Sequence, residues 1–112
     1  MYIVDDQLDG SITIYQEIKM LVLPIKKKWF DMILSGEKKE EYREIKRYYE
    51  SRLDYQEFKD IIFRNGYSRK SPYLKARVKI KKGYGKEEWG AEPWKKYYVL
   101  EIVEIMEVGN NG

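Results

Sequence analysis

The chain has 112 residues, a hydrophobic fraction of 43% and an aromatic fraction of 15%, which suits one folded domain with one core rather than a disordered segment. It contains no Cys and no His, which excludes disulfides, a thiol nucleophile, Cys-ligated zinc and the usual general base near neutral pH. Charged residues make up 37% and the net charge is +3, a mildly basic balance that suits an anionic partner.

Residues 1–19 differ from the rest. Asp5, Asp6, Asp9 and Glu17 stand against Lys19, a net of −3, which leaves +6 on residues 20–112. This leader reads either as an accessory hairpin, with Ser11 to Tyr15 as an edge strand, or as a loosely attached extension. The second reading divides the chain into an extension, 1–19, and a domain, 20–112.

Leu21 to Ile25 reads as a first strand. Lys26 to Ser35 reads as a helix, with Trp29, Met32 and Ile33 at helical spacing and Phe30 and Leu34 widening the stripe. Gly36 is its expected stop. Residues 38–43 read as a charged strand, and Ile45 to Leu53 as a second helix with Tyr48, Tyr49 and Leu53 on one face. Asp60 to Phe63 reads as a short strand, and Asn65-Gly66 as a turn. Tyr73 to Ile80 alternates, with Leu74, Ala76, Val78 and Ile80 on one face and Lys75, Arg77 and Lys79 on the other. A loop with Gly83, Gly85 and Gly90 comes next. The last strand, about Lys96 to Met106, is apolar on both sides. It places Tyr98, Leu100 and Ile102 on one face and Tyr97, Val99, Val103 and Ile105 on the other. Such a strand belongs inside a barrel or under a helix. The order β-α-β-α-β-β-β predicts an α+β fold, a small, partly open β-barrel with two packed helices.

The run Gly36 to Arg43 has the pattern G-x-K-x-x-E-x-R and concentrates an amine, a carboxylate and a guanidinium. Strand alternation puts Glu41 and Arg43 on one face and Tyr42 on the other, with Lys38 free at the turn to swing toward them. Such a group can form a structural ion-pair cluster or hold a phosphate or a polar base. Lys75, Arg77 and Lys79, roughly 7 Å apart, form either a solvated strand face or a ladder that tracks phosphates. Lys26, Lys27 and Lys28 add positive charge at a helix start. Trp29, Tyr48 and Tyr98 are assigned to the core. Tyr67, Tyr84, Trp89 and Trp94, in turn or Gly-rich segments, either stack bases or cap the barrel end.

Over residues 20 to about 106 the chain resembles the ASCH domain family, which has a PUA-like fold. Gly36, Lys38, Glu41 and Arg43 match that family's signature. The preceding strand–helix segment, Phe63 to Tyr67 and Trp89 to Glu92 look like those of its small single-domain members. The resemblance implies a cleft between barrel and helices, lined by the signature residues, and a role in RNA binding or processing. Some members resemble hydrolases of acetylated cytidine, in which the signature lysine and a threonine three residues later are catalytic. Lys38 matches that lysine, but Glu41 stands at the threonine's place and has no hydroxyl to offer.

The expected function is therefore binding of a nucleotide or single-stranded RNA. Glu41 and a loop aromatic, Tyr67 or Trp89, would read the base. Lys38, Arg43 and the Lys75–Arg77–Lys79 ladder would meet phosphates, with Lys28 and Asn65 beside them. The alternatives are a small hydrolase acting on RNA or a modified nucleoside, with Lys38 and Glu41 catalytic, and a peptide-binding adaptor. No cofactor, no metal and no membrane partner are expected. No bilayer-spanning stretch or signal peptide is visible, so a cytoplasmic location is expected; the oligomeric state is left open, with a monomer favoured.

Overall fold

The computed structural model describes residues 20–110. The leader, with its hairpin and extension readings, lies outside the described residues. The elements run β1 (Leu21–Pro24), α1 (Lys27–Ser35), β2 (Glu40–Glu44), α2 (Arg47–Leu53), β3 (Phe58–Arg64), β4 (Pro72–Tyr84), a single 3-10 turn (Glu87–Trp89) and β5 (Lys96–Asn110). The β-α-β-α-β-β-β order stands. The strands form one sheet in the order β1-β3-β4-β5-β2. β1 runs parallel to β3 and the other neighbours are antiparallel. The sheet curls into a half-barrel that carries two helices, an α+β fold.

The first helix ends where the sequence says it should. Gly36 takes the left-handed conformation at φ 86°, and its N–H donates to the Ile33 carbonyl at 3.0 Å. Glycine adopts that conformation without the Cβ clash that other residues meet. Phe30 and Ile33 are buried against the sheet, whereas Leu34 lies at the exposed edge of the stripe. In α2, Leu53 is buried but Tyr48 is 45% exposed. Its ring lies under the Arg52 guanidinium at 3.7 Å, so the assignment of Tyr48 to the core does not hold. A seven-residue helix presents only a narrow apolar stripe, and Tyr49 and Leu53 occupy it.

The core lies on the concave face. Leu23, Ile33, Leu53, Ile61, Phe63, Leu74, Ala76, Val78, Tyr98 and Leu100 form one cluster. A second cluster, Tyr42, Ala91, Tyr97 and Val99 with Trp89 beside it, lies on the other face of β2 and β5. This explains why β5 is apolar on both sides. Its outer face is covered by the segment 86–91 around the 3-10 turn, not by a helix.

The end of β5 corrects the simple alternation. Two register shifts in the β4–β5 ladder leave Val103 and Met106 as extra residues on β5. Each bulge reverses the facing of the residues beyond it. Ile102 and Ile105, three apart, therefore both pack on the core, and Val103 is exposed. Gly83, expected in a loop, lies within β4 opposite Tyr97.

Candidate functional site

The signature residues sit where the half-barrel fails to close. β1 and β2 are the two edge strands of the sheet. Curling brings the C-terminal end of β1 toward β2. Glu41 and Arg43 lie opposite Leu100 and Tyr98, so their side chains share the core face with those residues. They reach the gap between the two edges from inside.

Lys38 is anchored, not free at the turn. Its backbone N–H donates to the Met32 carbonyl at 2.9 Å. Its side chain is buried, with the residue 1% exposed. The Nζ donates to the Trp89 carbonyl at 2.6 Å and lies 3.2 Å from Glu41 Oε1. The ring centroids of Trp29 and Tyr42 are 5.0 and 4.9 Å away. Burial pulls the Lys38 pKa below its ordinary value, against the opposing pull of the Glu41 carboxylate. Removal of water disfavours the charged amine, and the carboxylate returns only part of that cost.

Glu41 is shared. Its Oε2 accepts from Arg43 Nε at 3.1 Å and from Nη2 at 2.8 Å. Arg43 also donates from Nη1 to the Tyr49 hydroxyl at 3.2 Å and from Nη2 to the Pro24 carbonyl at 2.8 Å. A guanidinium has five N–H groups, and four are committed to these bonds. Burial works against the Arg43 charge, but the Glu41 carboxylate and the Tyr49 hydroxyl outweigh it and raise the pKa. Lys38, Glu41 and Arg43 thus form one charged chain that ties the turn after α1 to β2, and β2 to the end of β1. On the outer side, Tyr42 donates to Glu40 at 2.8 Å and accepts from the Lys86 N–H at 2.9 Å. Its pKa is raised, chiefly by burial.

Outside this chain lies an open cleft of about 270 Å³. Trp29, Tyr97 and Glu44 line it with Glu41 and Arg43, and Pro24, Ile25 and Lys26 form the far side. Trp29 packs tightly beside Gly90, which sits at φ 103° in the left-handed region. A Cβ there would stand 3.1 Å from the Trp29 ring. Pro24, Ile25 and Lys26 also border a second hollow of about 390 Å³, completed by Asn65, Gly66 and Tyr67. Tyr67 is almost fully exposed.

The structure brings together Glu41, Arg43, Asn65 and Tyr67 across the Pro24–Lys26 strip. Lys38 lies behind the cleft rather than on its lining. Lys28 is exposed on α1 with its Nζ 4.6 Å from the Trp29 ring centroid. Trp89 contributes its carbonyl to Lys38, and its ring turns to the outer cluster with the Lys86 Nζ at 4.5 Å. Lys75, Arg77 and Lys79 lie apart, on the face of β4 opposite the core. There they stand across from Glu107, Glu104 and Glu101 of β5, and Arg77 bonds Asp60 at 2.8 Å. Asp60 in turn has its pKa lowered by Arg77.

Sequence reasoning missed Trp29 and Tyr97 as cleft walls, Tyr49 as a partner of Arg43, and Glu44 on the rim, and it named Lys26 only as part of the positive charge at the helix start. Helical spacing placed Trp29 in the core, and nothing local distinguishes a core ring from one that also walls a cleft. Among the described residues no cluster of His, Cys, Asp or Glu could hold a metal ion, and no helix is long and apolar enough to cross a membrane. No family model matches the chain, and neither a curated protein nor a solved structure matches it.

Proposed function

We propose that the seam cleft binds an unpaired base of single-stranded RNA, within an ASCH-type domain of the PUA-like fold. The observation that carries this reading is an open cleft walled by Trp29 and Tyr97, rimmed by Lys26 and continuous with the hollow of Asn65 and Tyr67. Aromatic stacking accepts any base because every base has a π-face. Asn65 carries donors and an acceptor for a base edge, and Lys26 offers charge to a phosphate. The signature Gly36–Lys38–Glu41–Arg43 and the strand–helix order support the family reading. In this account Glu41 and Arg43 hold the seam at a fixed width, because most of their hydrogen-bonding capacity is spent within the protein.

One feature favours a hydrolase: burial lowers the Lys38 pKa, which moves the amine toward the neutral form that a base or nucleophile needs. Against it stand the burial of the Nζ, its bond to the Trp89 carbonyl, and the carboxylate at position 41.

Titration of a short oligouridine, monitored by amide chemical shifts, tests the binding reading. Saturable binding that weakens with salt is expected. Trp29→Ala should lose about 1–3 kcal/mol of it. Binding untouched by Trp29→Ala would overturn the proposal. Incubation with acetylcytidine should release no cytidine, and release that Lys38→Met abolishes would move the site to catalysis.

A further inference from the structure

We infer that the end of the β4–β5 ribbon, with Trp94, Tyr84 and Lys96, continues the seam cleft as a second platform for the same ligand, so that the protein takes a strand of several nucleotides rather than a mononucleotide. This inference rests on the seam reading above.

Three observations carry it. The first is the aromatic side chains. Trp94 is 90% exposed and Tyr84 is 60% exposed. Trp94 also holds φ 63°, a backbone region that a bulky residue rarely adopts and that draws attention to function where it occurs. Folding gains little from a Trp presented to water in that conformation.

The second is continuity. Lys95, next to Trp94, pairs with Glu44 at 2.8 Å and lies 5.4 Å from the Tyr97 ring centroid. Glu44 and Tyr97 both line the seam cleft. The segment 94–96 therefore leads directly from the cleft wall to the ribbon end. There Lys96 stands opposite Tyr84 in the ladder, so both side chains project from one face, the face of Tyr98 rather than of Tyr97. Arg43 of the cleft lining shares that face, opposite Tyr98. Lys82 extends that face by two residues, 5.3 Å from the Tyr98 ring.

The third is charge. Between residues 81 and 96, Lys81, Lys82, Lys86, Lys95 and Lys96 outnumber Glu87, Glu88 and Glu92, a net of +2, although Lys81, Lys82 and Lys95 also stand within 4.0 Å of Glu40, Asp54 and Glu44. Interleaved rings and lysines are how sequence-tolerant proteins track an unpaired strand: the rings stack bases and the lysines meet phosphates. An anionic membrane surface would want the same charge, but with a continuous apolar face to bury. Around Trp94 the chain offers Glu92, Pro93, Lys95 and Lys96 instead.

The test compares oligouridines of roughly 4 and roughly 12 nucleotides, lengths that bracket the span of one small β-barrel, by fluorescence anisotropy on the full chain. The variant is Trp94→Asn with Tyr84→Ala. Asn tolerates the left-handed backbone at 94, and both positions are exposed, so the fold survives. The long oligomer should bind at least about tenfold tighter than the short one. The double variant should lose that gain while its affinity for the short oligomer stays unchanged. Equal affinity for the two lengths, or a gain that survives in the variant, overturns the inference, as does no binding of either length. Binding to phosphatidylserine vesicles that the variant loses, without a change in RNA affinity, assigns the patch to a membrane instead. If the long oligomer alone binds, and does so through Trp94 and Tyr84, the platform stands and the seam reading fails.

Discussion

Arg43 on edge strand β2 donates from Nη2 to the carbonyl of Pro24, the last residue of the opposite edge strand β1, at 2.8 Å. The half-barrel is therefore fastened across its seam by a side chain, not by strand pairing. The same guanidinium holds Glu41 and the Tyr49 hydroxyl, so one group joins both edges and α2. This arrangement keeps the cleft open while fixing its width.

Arg43→Lys should destabilise the fold nearly as much as Arg43→Ala, by about 3–5 kcal/mol, the cost of breaking a largely buried charge pair. An ammonium has no planar fork and cannot span Glu41, Tyr49 and Pro24 together. Urea denaturation of the two variants measures it. A Lys variant within about 1 kcal/mol of wild type would mean that charge alone matters at the seam.

Lys38 makes stability depend on pH in a direction that can be worked out. Its folded pKa is lowered from the ordinary 10.5 by burial, so between that lowered value and 10.5 the unfolded chain binds more protons. Stability rises with pH across that window. Tyr42 and Tyr98 act oppositely. Burial raises both folded values above 10, so their contribution falls as pH climbs past the unfolded tyrosine value. Lys38→Met removes the first effect and keeps the second. The stability of wild type relative to Lys38→Met should thus increase as pH approaches 10.5, and a flat difference would show that Lys38 titrates normally.

Gly90→Ala should cost about 1–3 kcal/mol, because the backbone at φ 103° strains any side chain and the new methyl meets the Trp29 ring at 3.1 Å. Thermal melts report the stability. The affinity for a short oligouridine should fall with it, since Trp29 walls the cleft. Loss of stability with full affinity would separate Trp29 from the binding surface.

Lys75, Arg77 and Lys79 face Glu107, Glu104 and Glu101 across the ladder, so their field is largely cancelled where they stand. Replacing all three with Ala should leave affinity for the short oligouridine within about twofold, less than the roughly tenfold that 1.4 kcal/mol would bring. Anisotropy at low salt measures it. A loss as large as that of Trp29→Ala would restore the ladder as a phosphate track.

Much of the architecture is written in local pattern. Helical spacing, the Gly36 stop and the alternation of Leu74 to Ile80 determined which segments are helix and strand and in what order, because these depend on neighbouring residues alone. The clustering of Lys38, Glu41 and Arg43 was also legible, since eight residues contain it. The contacts of those groups were not. The partners of Lys38 and Arg43 are the carbonyls of Trp89 and Pro24, 51 and 19 residues away, and any residue type could have supplied a carbonyl. Only the curl of the sheet decided that Lys38 is buried, that Arg43 fastens the seam and that Trp29 walls a cleft. The bulges at Val103 and Met106, invisible in composition, decided which residues of β5 reach the core. The acids of β5 that face the Lys75 ladder lie in a different strand, so its neutralisation depended on register, which is a property of paired strands and not of either one.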